Sequence, residues 1–210
     1  DADLALCMAA LRRLHGLDLP VQRRFDIGGM IAGYEALCAP LPPPPYPDLG
    51  QTRCQVAGLL GVQERLAVPE VFCHGDMLPA NLLILPDGSY RLIDYEYSGR
   101  ADPIMDIAML GIYCYFPPER LELSLQLYLE REPTGPELAR LYLYTALAGY
   151  LWSLWAHVKT QAGQDLTAYG QDMYGFMVQH YGTLTTSGLL SQALAEAPAG
   201  HPARLDGVPA

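Results

Sequence analysis

The sequence predicts an α+β fold, mainly α, in which one small β-hairpin interrupts a succession of helices. Two observations carry this expectation. Apolar residues recur at helical spacing on both sides of a short central stretch. Inside that stretch, Leu82 to Leu85 and Tyr90 to Ile93 are two apolar runs joined by Pro86-Asp87-Gly88-Ser89, with Asp87-Gly88 suited to the turn. At 210 residues, 50% of them hydrophobic and 17% charged, the chain can bury a sizeable core and is too apolar to be disordered for most of its length.

The first helix is expected from Ala2 to about His15, with Leu4, Met8, Leu11 and Leu14 on one face and Gly16 ending it. Phe25 to Cys38 reads as a second helix with Asp26 as N-cap. Pro40, Pro42 to Pro45 and Pro47 form an extended connector, because proline is excluded from helix interiors. A third helix spans about Leu49 to Leu66, and Val71-Phe72-Cys73 is a short strand after Pro69. Beyond the hairpin, Asp102-Pro103 reads as an N-cap with proline at the first helical position, opening a helix to about Tyr115. Pro117-Pro118 starts another, and Thr134 to Glu137 is a capping box ahead of a long helix to about Thr160. A last helix covers about Leu166 to Tyr181. From Glu196 the Ala-, Pro- and Gly-rich run reads as a disordered tail, leaving residues 1–195 as the folded lobe.

Composition excludes several classes of function. A formal charge of −10 with no basic patch argues against a nucleic-acid binder. The same negative field suits a cationic substrate, or is ordinary solubility charge. The five cysteines are odd in number and without a CxxC pair, which reads as free thiols in a reducing compartment, the cytoplasm. Leu141 to Val158 carries no formal charge over 18 residues, yet contains three tyrosines, Thr145, Ser153 and His157. It is too polar for a membrane span and reads as a buried helix.

The chemistry is concentrated between residues 74 and 94. His74-Gly75-Asp76 follows the short strand, Asn81 comes five residues after Asp76, and Asp94 thirteen after that. Phosphoryl transfer from a magnesium nucleotide needs a carboxylate to orient and deprotonate the acceptor hydroxyl. It also needs an amide oxygen and a second carboxylate to hold Mg²⁺ against the phosphates. The hairpin brings Asn81 and Asp94 together, because they sit at its two ends.

Phe72 to Asp76 through Asn81, then Leu92 to Tyr97, Asp102-Pro103 and Asp106-Ile107-Ala108, resembles the choline/ethanolamine kinase branch of the aminoglycoside-phosphotransferase-like superfamily. The resemblance runs from the first helix to about Tyr181. It implies the C-terminal catalytic lobe of a protein-kinase-like fold, with ATP and Mg²⁺ as cofactors. It further implies Asp76 as catalytic base, Asn81 and Asp94 as metal ligands, and His74 and Asp106 as residues that brace the loop.

Trp152 and Trp155 are the only tryptophans, three apart on one face of the uncharged helix. Spacing alone suits core packing. In choline kinases a similar Trp-x-x-Trp pair, with a tyrosine matching Tyr97, lines a quaternary-ammonium pocket, which implies a substrate-binding role here, with Glu96 as an acidic candidate. Eukaryotic choline kinases carry an acidic pocket residue where this chain has Tyr113. The expected activity is therefore transfer from ATP to a small cationic alcohol, choline or ethanolamine first, with thiamine or an aminoglycoside as alternatives. A binding module that holds a cation without catalysis is the reading from a different class.

The nucleotide-clamping parts of such an enzyme are not recognisable. No GxGxxG is present, Gly28-Gly29 falls in a predicted helix, and the single lysine, Lys159, lies beyond the catalytic motif. The expectation is a lobe taken from a longer kinase and inactive alone, with oligomeric state unspecified.

Overall fold

Helix α6, Gly135–Gln161, is the axis about which the other elements are arranged. In the computed structural model, which describes residues 2–197, the chain before it forms α1 (Ala2–His15), α2 (Ile27–Cys38) and α3 (Leu49–Arg65). Next come β1 (Val71–Cys73), a 3₁₀ turn (Pro79–Asn81), the hairpin of β2 (Leu82–Ile84) and β3 (Tyr90–Leu92), and β4 (Gly99–Ala101). Helices α4 (Ile104–Tyr113) and α5 (Pro118–Leu129) precede α6, and α7 (Thr167–Thr186) and α8 (Leu189–Glu196) follow it. The result is mainly helical α+β with two small antiparallel sheets, β1 with β4 and β2 with β3.

Helix α6 is buried on nearly every side, from Ala139 to His157, by α7, α4, α2 and α8. A helix covered all round has no need of a charged face, which explains the uncharged run. No helix among the described residues is long and apolar enough to cross a membrane. The start of α6 is fixed by Glu137, whose carboxylate accepts from the Thr134 N–H at 2.8 Å and the Thr134 hydroxyl at 2.9 Å.

Several boundaries differ from expectation, each for a tertiary reason. Helix α2 begins at Ile27, not Phe25. The Phe25 N–H donates to Arg100 O at 3.0 Å and the Arg100 N–H to Arg23 O at 2.8 Å, so residues 23–25 run extended beside β4. Asp26 does cap the helix, accepting from Gly29 N–H at 2.9 Å. Strand β4 and helix α8 were not expected from sequence, and α7 runs past Tyr181 to Thr186. Helix α8 ends at Glu196, and residues 198–210 of the expected tail lie outside the described residues.

The N-cap of α4 falls at Pro103, one residue later than expected, and Asp102 meets the helix start through its side chain. One oxygen accepts from the Ile104 N–H at 2.9 Å, while the other takes the Arg140 guanidinium at 2.8 Å. This largely buried pair ties the start of α4 to α6. Burial raises the Asp102 pKa, with Arg140 opposing it.

Candidate active site

Strand β1 delivers His74, Gly75 and Asp76 to the centre of the molecule, and α4 holds them there. The Asp106 carboxylate, entirely buried in the first turn of α4, accepts from the His74 N–H at 2.7 Å and the Gly75 N–H at 2.8 Å. Two buried backbone donors are thereby satisfied by one side chain. Gly75 has φ +79°, and a Cβ there would lie 2.6 Å from Tyr97 O. Only glycine accommodates both the dihedral and the close approach.

His74 links this turn to the hairpin. Its Nδ1 accepts from the Asp76 N–H at 3.3 Å, so Nε2 carries the proton and donates to Ile93 O at 2.8 Å. The Ile93 N–H in turn donates to Asn81 O at 3.0 Å, closing the hairpin between Asn81 and Asp94. His15, Cys73 and Asp106 also gather ligand-type atoms within 4.8 Å of one another. Those atoms already have partners: Cys73 Sγ approaches Ala101 O at 3.6 Å, and His15 spans Asp106 and Tyr128.

Asp76 is buried and donor-bound on both oxygens. Asn81 Nδ2 donates to Asp76 O at 2.9 Å and to Oδ2 at 3.2 Å, and the Tyr113 hydroxyl donates to Oδ1 at 2.9 Å. Burial raises its pKa above the usual carboxylate range, with Tyr113, His74 and Asn81 opposing that and Asp94 adding to it. With Nδ2 committed, Oδ1 is the remaining acceptor of Asn81. Asp94, two residues past β3, is exposed and has φ +66°, a conformation that aspartate tolerates better than most residues. Asn81 Oδ1 and the Asp94 carboxylate are hard oxygen donors, the type Mg²⁺ takes.

Beside them lies a cavity of about 410 Å³ lined by Asp76, Asp94, Glu96 and Leu78 together with Tyr97, Tyr113, Trp152, Trp155 and Tyr169. The aromatics form a continuous wall. Trp152 lies 6.0 Å from both Tyr97 and Tyr113 and 5.9 Å from Trp155, centroid to centroid, and Trp155 lies 6.1 Å from Tyr169. Trp152 is also largely core, 5% exposed, whereas Trp155 is half-buried with Lys159 Nζ 5.8 Å from its ring centroid. A larger cavity of about 590 Å³, bordered by Gln63, Glu64 and Glu70, touches none of Asp76, Asn81 or Asp94.

All the residues singled out from sequence therefore gather in one region. Asp76, Asp94, Glu96, Tyr97, Trp152 and Trp155 line the cavity, Asn81 is bonded to Asp76, and His74 and Asp106 lie beneath the turn. Sequence reasoning missed Tyr169 and His15, as well as the bond from Tyr113 to Asp76. Nothing in the local pattern of α1 or α7 marks those residues.

The fold is of the kinase-like type. A choline/ethanolamine kinase family protein from Mesorhizobium loti superposes with a TM-score of 0.82 over 92% of this chain and 67% of that one, at 24% identity. The choline kinase LicA from Streptococcus pneumoniae does so with a TM-score of 0.74 over 87% and 64%, at 27% identity. The profile of the phosphotransferase enzyme family matches residues 1–144, and the chain belongs to that family. Ethanolamine kinase 2 of Rattus norvegicus is 35% identical in an alignment of 116 residues that covers 46% of this chain and 30% of that protein. The chain thus spans less than a third of that relative's length. Trp152, Trp155 and Tyr169 fall beyond the family match.

Proposed function

We propose that residues 1–195 act as the catalytic lobe of a phosphotransferase that moves the γ-phosphoryl of ATP to the hydroxyl of a small cationic alcohol, choline or ethanolamine. The observation that carries this reading is the shared cavity: Asp76 and Asp94 border the same space as Tyr97, Trp152 and Trp155. An alkylammonium head resting on aromatic faces gains about 0.5–2 kcal/mol per ring, while the alcohol arm reaches toward Asp76. The relatives named choline kinase and ethanolamine kinase support the same substrate class. A wall of aromatics with few acids suits one cationic head better than the several ammonium groups of an aminoglycoside.

In the reaction the acceptor O–H bond breaks, its proton passes to Asp76, and the oxygen bonds to the γ-phosphorus. The bond from that phosphorus to the β–γ bridging oxygen breaks, and ADP leaves. Asp76 needs position more than basicity, because the alcohol loses its proton late in a loose transition state. Asn81 Oδ1 and Asp94 would hold Mg²⁺, which when bound neutralises charge on the phosphates. Asp106 and His74 keep the turn in place by the bonds described above. All five cysteines are free, which supports a reducing, cytoplasmic setting.

The test is an acceptor panel with ATP and Mg²⁺ containing choline, ethanolamine, thiamine and an aminoglycoside, run on the full-length protein and its Asp76→Ala variant. Phosphorylation of choline or ethanolamine, lost in the variant, is the expected result. Transfer to none of the four sinks the reading.

A further inference from the structure

Tyr113, the last residue of α4, touches both halves of the site. Its hydroxyl donates to Asp76 Oδ1 at 2.9 Å. Its ring lies 6.0 Å from the Trp152 ring, tilted 45°, and lines the cavity between that tryptophan and Asp76. Burial, and then the neighbouring Asp76 charge, push the phenol pKa far above its ordinary value. The group is therefore a permanent donor. Asn81 holds the other oxygen of the same carboxylate, from the hairpin side. Rotation of the Asp76 carboxylate would break one bond from α4 and one from the 3₁₀ turn that precedes β2.

We propose that Tyr113 is a positioning residue for phosphoryl transfer: its hydroxyl fixes the Asp76 carboxylate while its ring forms part of the wall that receives the acceptor's cationic head. The inference rests on the functional reading above and adds a residue to it. One rigid side chain then sets the separation between the base and the cation pocket. A bound alcohol presents its hydroxyl to Asp76 without further adjustment of either group. The phenol carries no charge, so the head is recognised by ring faces and by the acids at the cavity edge, not by a carboxylate at this position.

The experiment uses the full-length protein with choline as probe and two readouts. One is steady-state kinetics. The other is a titration of intrinsic tryptophan fluorescence, which reports on the cavity because the only two tryptophans line it. Tyr113→Phe keeps the ring and removes the donor. Its kcat is expected to fall on the order of 10- to 100-fold, the scale of misplacing a reacting group by about 1 Å. Its choline KM and fluorescence midpoint should stay within about 3-fold of wild type, as for an interaction that matters in the transition state and not in binding. Tyr113→Ala removes the wall as well and should raise KM and the midpoint together.

A Tyr113→Phe protein with wild-type kcat per folded molecule overturns the inference, whether or not its melting temperature drops. So does a Tyr113→Phe protein whose KM rises while kcat stands. If instead the wild-type protein shows neither a saturable fluorescence change with choline nor turnover of any cationic alcohol, the functional reading has failed and Tyr113 falls with it.

Discussion

His15 Nε2 meets Asp106 Oδ2 at 3.0 Å, although 91 residues separate them. The same oxygen accepts the His74 N–H, and His15 Nδ1 is bound to the Tyr128 hydroxyl at 2.9 Å. Helix α1 is thus wired through one buried carboxylate to the turn that carries Asp76. Asp106→Ala would leave the His74 and Gly75 N–H groups buried and unpaired, at a cost of about 1–3 kcal/mol each. Thermal denaturation should show a large loss of stability, and His15→Ala a smaller one.

Asp76→Ala should lower kcat by about 10²–10⁴-fold, the range for removing a positioned general base. Nucleotide affinity should hardly change. Near-wild-type kcat, measured in the full-length enzyme, would take the base away from Asp76.

Metal dependence separates Asp94 from Asp76. Asp94→Asn keeps the shape and removes the charge, so the Mg²⁺ concentration for half-maximal rate should rise, and excess Mg²⁺ should restore part of the rate. Chelation by EDTA should abolish turnover in both wild type and variant. A variant whose Mg²⁺ titration overlays that of wild type excludes Asp94 as a ligand.

The two tryptophans should behave differently. Trp155 is half-buried, so Trp155→Ala should chiefly raise the acceptor KM, by the equivalent of about 0.5–2 kcal/mol for one lost cation–π face. Trp152 also packs in the core and should cost about 3–5 kcal/mol of stability when truncated. If both changes merely lower the melting temperature while KM stays put, the pair is packing only.

Acid should lower the stability of the protein over two successive pH ranges. His180 is fully buried, stacked between Tyr142 and Phe176, with no hydrogen-bond partner among the described residues for either ring nitrogen. Burial lowers its pKa from 6.5 to about 4. The unfolded chain therefore takes up this proton first, and stability that is complete above pH 6.5 is lost as pH falls toward 4. Glu137, held down to about 2 from 4.5 by Arg131 and the Thr134 N–H, adds a second loss between those values. Melting temperatures of wild type and His180→Phe, compared from pH 7 to pH 4, should show the first slope only in wild type.

The local structure of residues 71–94 was largely legible in sequence. Asp87-Gly88 announced the hairpin, and the hairpin placed Asn81 and Asp94 at its two ends. Capping residues were equally readable, since Asp26 and Thr134 act within one turn of themselves. What could not be read depends on partners far along the chain. Strand β4 exists because Gly99 to Ala101 find β1 and residues 23–25, and its own three residues have no apolar alternation. Tyr169 reaches the cavity only because α7 folds back along α6. The α8 segment, Leu189 to Glu196, is short and weakly patterned, and is held by packing against α6 and α7.

The polar and the aromatic sides of the cavity come from different stretches of this molecule. Residues 74–94 supply the polar triad, and one turn of α6 supplies the indole faces. Tyr97 and Tyr113 border the same cavity as both regions and lie against Trp152. On the proposed reading, exchanging side chains on that single helical turn should change which alcohol is accepted while Asp76, Asn81 and Asp94 stay as they are.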